Sequence, residues 1–152
     1  MNKSGKPRIL ILDDEPMVTR TLEGVLRMDG TMECTAVNRP AEGLELLEKE
    51  SFDVIMSDFI MPELDGLEFL SRARELQPEA SRILLTGYAD KESAIRSINE
   101  ISLYQYIEKP WHNQQLLMLL RNAAERTCLL RRLNNGQGAD GELRQQIWKM
   151  LI

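Results

Sequence analysis

Short apolar runs alternate along the chain with stretches in which apolar residues return every three or four positions. "RILIL" (Arg8 to Leu12) reads as a buried strand, and Val18, Leu22, Val25 and Leu26 then recur at helical spacing. "TMECTAV" (Thr31 to Val37) predicts a second strand, followed by a helix faced by Ala41, Leu44 and Leu47. "DVIMS" (Asp53 to Ser57) predicts the third, and Leu67, Leu70 and Arg74 share a face of the helix after it. "RILLT" (Arg82 to Thr86) predicts the fourth, before a more polar helix around Lys91 to Ile98. "YQYIE" (Tyr104 to Glu108) predicts the fifth, with a long helix from about Trp111. Five strand-then-helix units imply parallel strands, because each helix returns the chain to the edge where the last strand began. Right-handed crossovers then give an α/β, doubly wound five-stranded parallel sheet with helices on both faces, extended by the long C-terminal helix.

That last helix carries Leu116, Leu120, Ala123, Thr127, Leu130 and Asn134 at a mean spacing near ~3.5, a coiled-coil-like seam. Leu117, Leu119 and Ala124 remain to pack on the sheet. The expected organisation is a tail over 1–7, one domain over 8–126, and a helical extension over 127–133. A linker, "NNGQGADG", follows over 134–141, and over 142–152 a further amphipathic helix begins, faced by Leu143, Ile147, Met150 and Leu151. Of two readings of that end, a fragment of a longer chain is expected over a whole protein whose tail packs on itself or a partner, because a chain ending on an exposed apolar helix is poorly finished.

Composition narrows the classes. Hydrophobic residues at 43% and charged residues at 28% make a soluble globular balance. A net charge of −5 argues against a broad nucleic-acid-binding face. The start, "MNKSGKPR", lacks an apolar signal core, and no apolar run approaches the ~20 residues a bilayer span needs, so the expected location is the cytoplasm with no membrane contact. Cys34 and Cys128 fit no metal-ligand spacing and read as reduced thiols, and His112 reads as an exposed residue in the first turn of the last helix.

Parallel strands finish at one common edge, and there the sequence places charge. Strand one ends in Asp13 and Asp14, strand three in Asp58, strand four in Thr86, and strand five in Lys109 before Pro110. A polar residue after a strand is ordinary, since it often caps the next helix. Three carboxylates, a hydroxyl and an ammonium gathered from distant segments are not. The summed charge of about −2 matches one divalent cation, and oxygen donors without Cys or His point to Mg²⁺. Such a metal keeps open positions for phosphate oxygens, and with Lys109 and Thr86 nearby the patch can hold a phosphoryl group. Asp58 stands alone on the central strand and is the expected nucleophile, while Asp13 and Asp14 share the metal.

At these residues the chain resembles the receiver domain of two-component response regulators, over roughly Arg8 to Ala124. The resemblance is carried by "LDDE" at Asp13 and Asp14, "SDFIMPELDG" around Asp58, "LLTGYAD" at Thr86 and "YQYIEKPW" at Lys109. It implies a flavodoxin-like fold with sheet order 2-1-3-4-5 and a cis Lys109-Pro110 peptide. It implies that Asp14, Asp58 and the backbone carbonyl of Ile60 bind Mg²⁺ directly while Asp13 acts largely through water. It implies that a sensor histidine kinase phosphorylates Asp58, that Thr86 and Lys109 bind the phosphoryl oxygens, and that Tyr106 turns inward when Thr86 moves. The implied partners are that kinase, a downstream effector domain, and a second copy through helix four, strand five and helix five or through the C-terminal helix.

From its residues alone, Tyr106 also reads as a half-buried packing tyrosine, Asp65-Gly66 as a turn, and Pro62 as the opening of the third helix. Ile60 and Tyr88 are bulky where a polar side chain could guide a hydrolytic water, so a long-lived acyl phosphate is expected. Two other functions compete with the switch. An aspartyl-nucleophile phosphohydrolase is disfavoured because such enzymes commonly carry a second Asp at the position of Ile60. A phosphorylation-independent interaction platform is disfavoured by the full set of acceptor and metal residues.

Overall fold

The computed structural model describes residues 5–100 and 102–135, with residues 145 and 149; the side chains of Tyr88 and Ser97 lie outside the description. The order of elements is β1 (Arg8–Leu12), α1 (Pro16–Asp29), β2 (Glu33–Val37), α2 (Pro40–Lys49), β3 (Val54–Asp58), α3 (Gly66–Leu76), β4 (Ser81–Thr86), α4 (Lys91–Glu100), β5 (Gln105–Glu108) and α5 (Asn113–Asn134). A 3₁₀ turn over Tyr88–Asp90 leads into α4. All pairings are parallel and the sheet runs β2-β1-β3-β4-β5, the expected order. The Lys109-Pro110 peptide is cis, also as expected.

Alternation along the strands supplies two cores. Ile9, Ile11, Val54, Met56, Ile83, Leu85 and Ile107 face Leu22 and Leu26 of α1 and Leu116, Leu120, Ala123 and Ala124 of α5. Leu10, Leu12, Ile55 and Leu84 face Leu47 of α2, Phe69, Leu70 and Ala73 of α3, and Ala94 of α4. The central strand β3 is buried along its whole length, and its first three residues, Val54 to Met56, are a continuous apolar run rather than an alternation.

Several expected details move. In α2 the buried residues are Pro40, Gly43 and Leu47, and Ala41 is exposed; in α3 they are Gly66, Phe69, Leu70 and Ala73, and Arg74 is exposed. Pro62 does not open α3. The helix starts at Gly66, where Asp65 is the N-cap and its Oδ1 accepts the Glu68 amide at 2.8 Å, so Asp65-Gly66 is a helix start rather than a turn. His112 is the residue flanking α5 rather than part of its first turn, and it is exposed.

The largest correction concerns α5. Leu116, Leu120 and Ala123 are buried in the core against the chain's own sheet, Thr127 is buried and bonded to it, Leu130 is buried as well and Asn134 is exposed, so this stripe is not a seam open to another helix. The extension past 126 is also part of the domain. Thr127 Oγ1 donates to the Asp53 carbonyl at 2.6 Å and accepts the Ser81 amide at 3.0 Å. Arg131 donates from Nη1 to Asp53 Oδ1 at 2.7 Å and from Nη2 to the Phe52 carbonyl at 2.6 Å. These bonds fasten the end of α5 to the segments where β3 and β4 begin. Of the expected linker over 134–141, residues 136–141 lie outside the described residues, as do Leu143, Ile147, Met150 and Leu151 of the final amphipathic stretch. No helix among the described residues is long and apolar enough to cross a membrane.

Candidate metal and phosphoryl site

The site forms where β1, β3, β4 and β5 end side by side. Asp13 directly follows β1 and is fully buried; Asp14 is half-buried; Asp58 is the last residue of β3 and nearly buried. One carboxylate oxygen from each of the three lies within 4.8 Å of the others. Lys109, just past β5, reaches in from the opposite side. Its Nζ donates to Asp13 Oδ2 at 3.0 Å and stands 3.0 Å from Asp58 Oδ1. The lysine is held at the rim because its amide donates to the Thr86 carbonyl at 2.8 Å.

Thr86 ends β4 and is fully buried, one residue beyond Leu85, the register partner of Asp58. Its hydroxyl donates to the Gly87 carbonyl at 3.3 Å, a long bond that leaves it easily recruited. Tyr106 is half-buried on β5 opposite Leu84, packed on the α4 side of the sheet. The Ile60 side chain is 60% exposed in the loop after Asp58.

The electrostatics favour a cation. Burial pushes the Asp58 carboxyl above its ordinary value, and the Asp13 carboxylate pushes the same way, while the Lys109 ammonium only partly offsets them. Burial alone pulls Lys109 down, but the two carboxylates together outweigh it and the ammonium is held above its ordinary value. One lysine therefore stabilises its own charge without fully relieving Asp58. An oxygen-only donor set that remains negative after its internal ion pairs fits Mg²⁺. Asp13 already uses both oxygens, Oδ2 toward Lys109 and Oδ1 accepting the Glu15 amide at 2.9 Å, which leaves Asp14 and Asp58 as the more available donors.

Two contributors were not read from the sequence. Gly66 passes so near the acceptor strand that a Cβ there would sit 2.0 Å from the Asp58 carbonyl oxygen, and its amide donates to the Phe59 carbonyl at 2.7 Å. Asn38 comes directly after β2 at the same rim; its Nδ2 donates to the Asp13 carbonyl at 2.8 Å and to Thr19 Oγ1 at 3.0 Å. The sequence signal for it is its place: it stands at the end of the second strand as Asp13 stands at the end of the first, and a neutral side chain there escapes a search for charge.

The response regulator receiver domain family matches residues 9–121. The hydrogenase transcriptional regulatory protein HoxA of Bradyrhizobium diazoefficiens is 39% identical over 117 residues, 77% of this chain and 24% of that protein. The regulatory protein AtoC of Escherichia coli is 31% identical over 118 residues, 78% of this chain and 25% of that protein. The chain thus spans about a quarter of the length of these relatives. Among solved structures, a response regulator receiver domain protein from Clostridium thermocellum superposes with a TM-score of 0.75 at 32% identity, covering 82% of this chain and 98% of that one. An adenylate cyclase structure from Rhodopirellula baltica gives 0.80 at 27% identity over 86% and 96%. The matched segment begins within β1 and runs into α5, taking in all four strand ends that build the rim, and the chain belongs to the receiver domains of two-component response regulators, which act as phosphorylation-dependent signalling switches.

Proposed function

We propose that Asp58 is the phosphoacceptor and that Mg²⁺ is held by Asp14, Asp58 and the main-chain carbonyl of Ile60, with Asp13 acting through water. Bound there, the ion supplies charge neutralisation for the incoming phosphoryl oxygens. A carboxylate oxygen of Asp58 attacks the phosphorus of a histidine kinase's phosphohistidine. The O–P bond forms, the N–P bond breaks, and the imidazole nitrogen keeps the electron pair and takes up a proton. Lys109 and the Thr86 hydroxyl donate to the transferred oxygens. Drawing Thr86 toward the phosphoryl group vacates space that Tyr106 turns into, which biases the face of α4, β5 and α5 between two states. A downstream effector, or a second copy through that face or the outer side of α5, reads the change.

The observation that carries this is Lys109 Nζ standing 3.0 Å from the carboxylates of both Asp13 and Asp58. Such a site serves a switch better than a phosphohydrolase, because Ile60 stands where a general acid would be. The chain then catalyses only its own phosphorylation and dephosphorylation. Incubation with Mg²⁺ and a small phosphodonor, followed by intact mass, tests it: wild type gains one phosphoryl group only with Mg²⁺, and Asp58→Asn gains none. Turnover of an added phosphomonoester in place of stable labelling supports the enzyme instead.

A further inference from the structure

An asparagine just ahead of a helix ordinarily serves that helix, by offering its side-chain oxygen to an unsatisfied amide. Asn38 does something else. The residue flanking α2 is Arg39, and no side chain caps that helix. The two hydrogens of the Asn38 amide go instead to the loop between β1 and α1 and to the first turn of α1, one to the Asp13 carbonyl at 2.8 Å and one to Thr19 Oγ1 at 3.0 Å. Thr19, 3% exposed, passes its own hydrogen to the Pro16 carbonyl at 3.0 Å. The carbonyls at both ends of the segment Asp13–Pro16 are therefore tied to one pair of side chains, and Asp13 and Asp14 lie within it. From β2 the Val37 carbonyl also accepts the Asp13 amide, at 3.2 Å.

A tie of this kind has something to resist. Asp13, Asp14 and Asp58 bring like charges within 4.8 Å, and the loop joining β1 to α1 is the most direct means by which two of them could withdraw. Glu15 flanks the helix beyond without a side-chain cap, and its amide turns back to Asp13 Oδ1 at 2.9 Å, so the loop's other tie is made within itself. Outer partners that fix the orientation of ligand residues commonly set metal affinity while touching no metal.

We propose that Asn38, acting through Thr19, is a positioning residue that holds the Asp13–Pro16 loop in its cation-binding form before the cation arrives. The inference rests on Mg²⁺ binding at the carboxylates, as proposed above, and the test separates the two. Mg²⁺ affinity is measured by calorimetric titration of the full chain for wild type, Asn38→Ala, Thr19→Val and the double variant. Phosphorylation by a small phosphodonor is measured at saturating Mg²⁺, and folding is checked by thermal melts. The expected result is Mg²⁺ affinity about 10-fold weaker in Asn38→Ala. A smaller loss is expected in Thr19→Val, and the double variant should be no weaker than Asn38→Ala because the two act as one unit. Phosphorylation at saturating Mg²⁺ stays within about 2-fold of wild type, since the acceptor and Lys109 are untouched. A purely structural role lowers the melting temperature and leaves the affinity alone. Wild type that binds Mg²⁺ together with folded variants that bind it equally well overturns the positioning role only. Wild type that takes up no Mg²⁺ overturns the metal assignment as well. Thr19→Val, which keeps the side-chain volume, decides the question if Asn38→Ala does not fold.

Discussion

At the scale of single residues, Asp58 is a charge kept in a place that disfavours it. Its pKa lies above the ordinary carboxyl value because of burial first, with Asp13 reinforcing the shift. A raised acid pKa means that the folded state holds the proton more tightly than the unfolded chain, so ionisation costs stability above the folded pKa and costs nothing below the ordinary value near ~3.9. Asp58→Asn, which keeps the shape and removes the charge, is therefore expected to melt higher than wild type at pH 7 in chelator. The difference should shrink as the pH falls toward ~4, and a variant that melts lower at pH 7 contradicts this. The gathering of Asp13, Asp14, Asp58, Thr86 and Lys109 was legible in the sequence because, although one polar residue after a strand is ordinary, three carboxylates, a hydroxyl and an ammonium at one sheet edge are not. Asn38 was not, because an Asn ahead of Arg-Pro is what any turn into a helix looks like, and only the fold shows its amide crossing to another loop.

Among the elements, strands were legible to within two residues because β1, β3 and β4 hold short apolar runs bounded by polar residues, while β2 and β5 are short β-branched or aromatic stretches between helical patterns. The start of α3 was misplaced at Pro62 because proline suits a first helical turn, whereas the Asp65 cap and the close approach of Gly66 set the true start. In α5 the apolar stripe was read correctly and its partner was not: periodicity shows that a face is covered, not by what. The covering is the chain's own sheet, and the bonds of Thr127 and Arg131 show how firmly. Thr127→Val removes the hydroxyl from the Ser81 amide and the Asp53 carbonyl, which still bond each other at 3.1 Å, and is expected to cost ~1 kcal/mol in chemical unfolding. Arg131→Gln should cost ~1 kcal/mol or less, because the Arg131–Asp53 pair is partly open to water. Two variants unfolding like wild type would mean that the end of α5 is merely adjacent to the sheet.

For the molecule as a whole, chemistry and anchorage occupy opposite edges of one sheet: the carboxylates where the strands end, and the last turns of α5 where they begin. A cation that binds only the folded form adds stability by mass action, and at about 100 times its dissociation constant the gain is ~2.7 kcal/mol. Mg²⁺ is thus expected to raise the melting temperature of wild type by roughly 5–10 °C. It should raise Asp58→Asn far less, and equal shifts in the two would place the ion elsewhere. The winding that gathers the site was legible because strand-helix alternation admits few topologies.

The mooring of Arg131 to Asp53 and Phe52 also decides how motion leaves the domain. A terminal helix that swung loosely would dissipate any displacement made at the acceptor. Here the final turns are fastened to the segments where β3 and β4 begin, so a displacement of those segments carries the end of α5 with it.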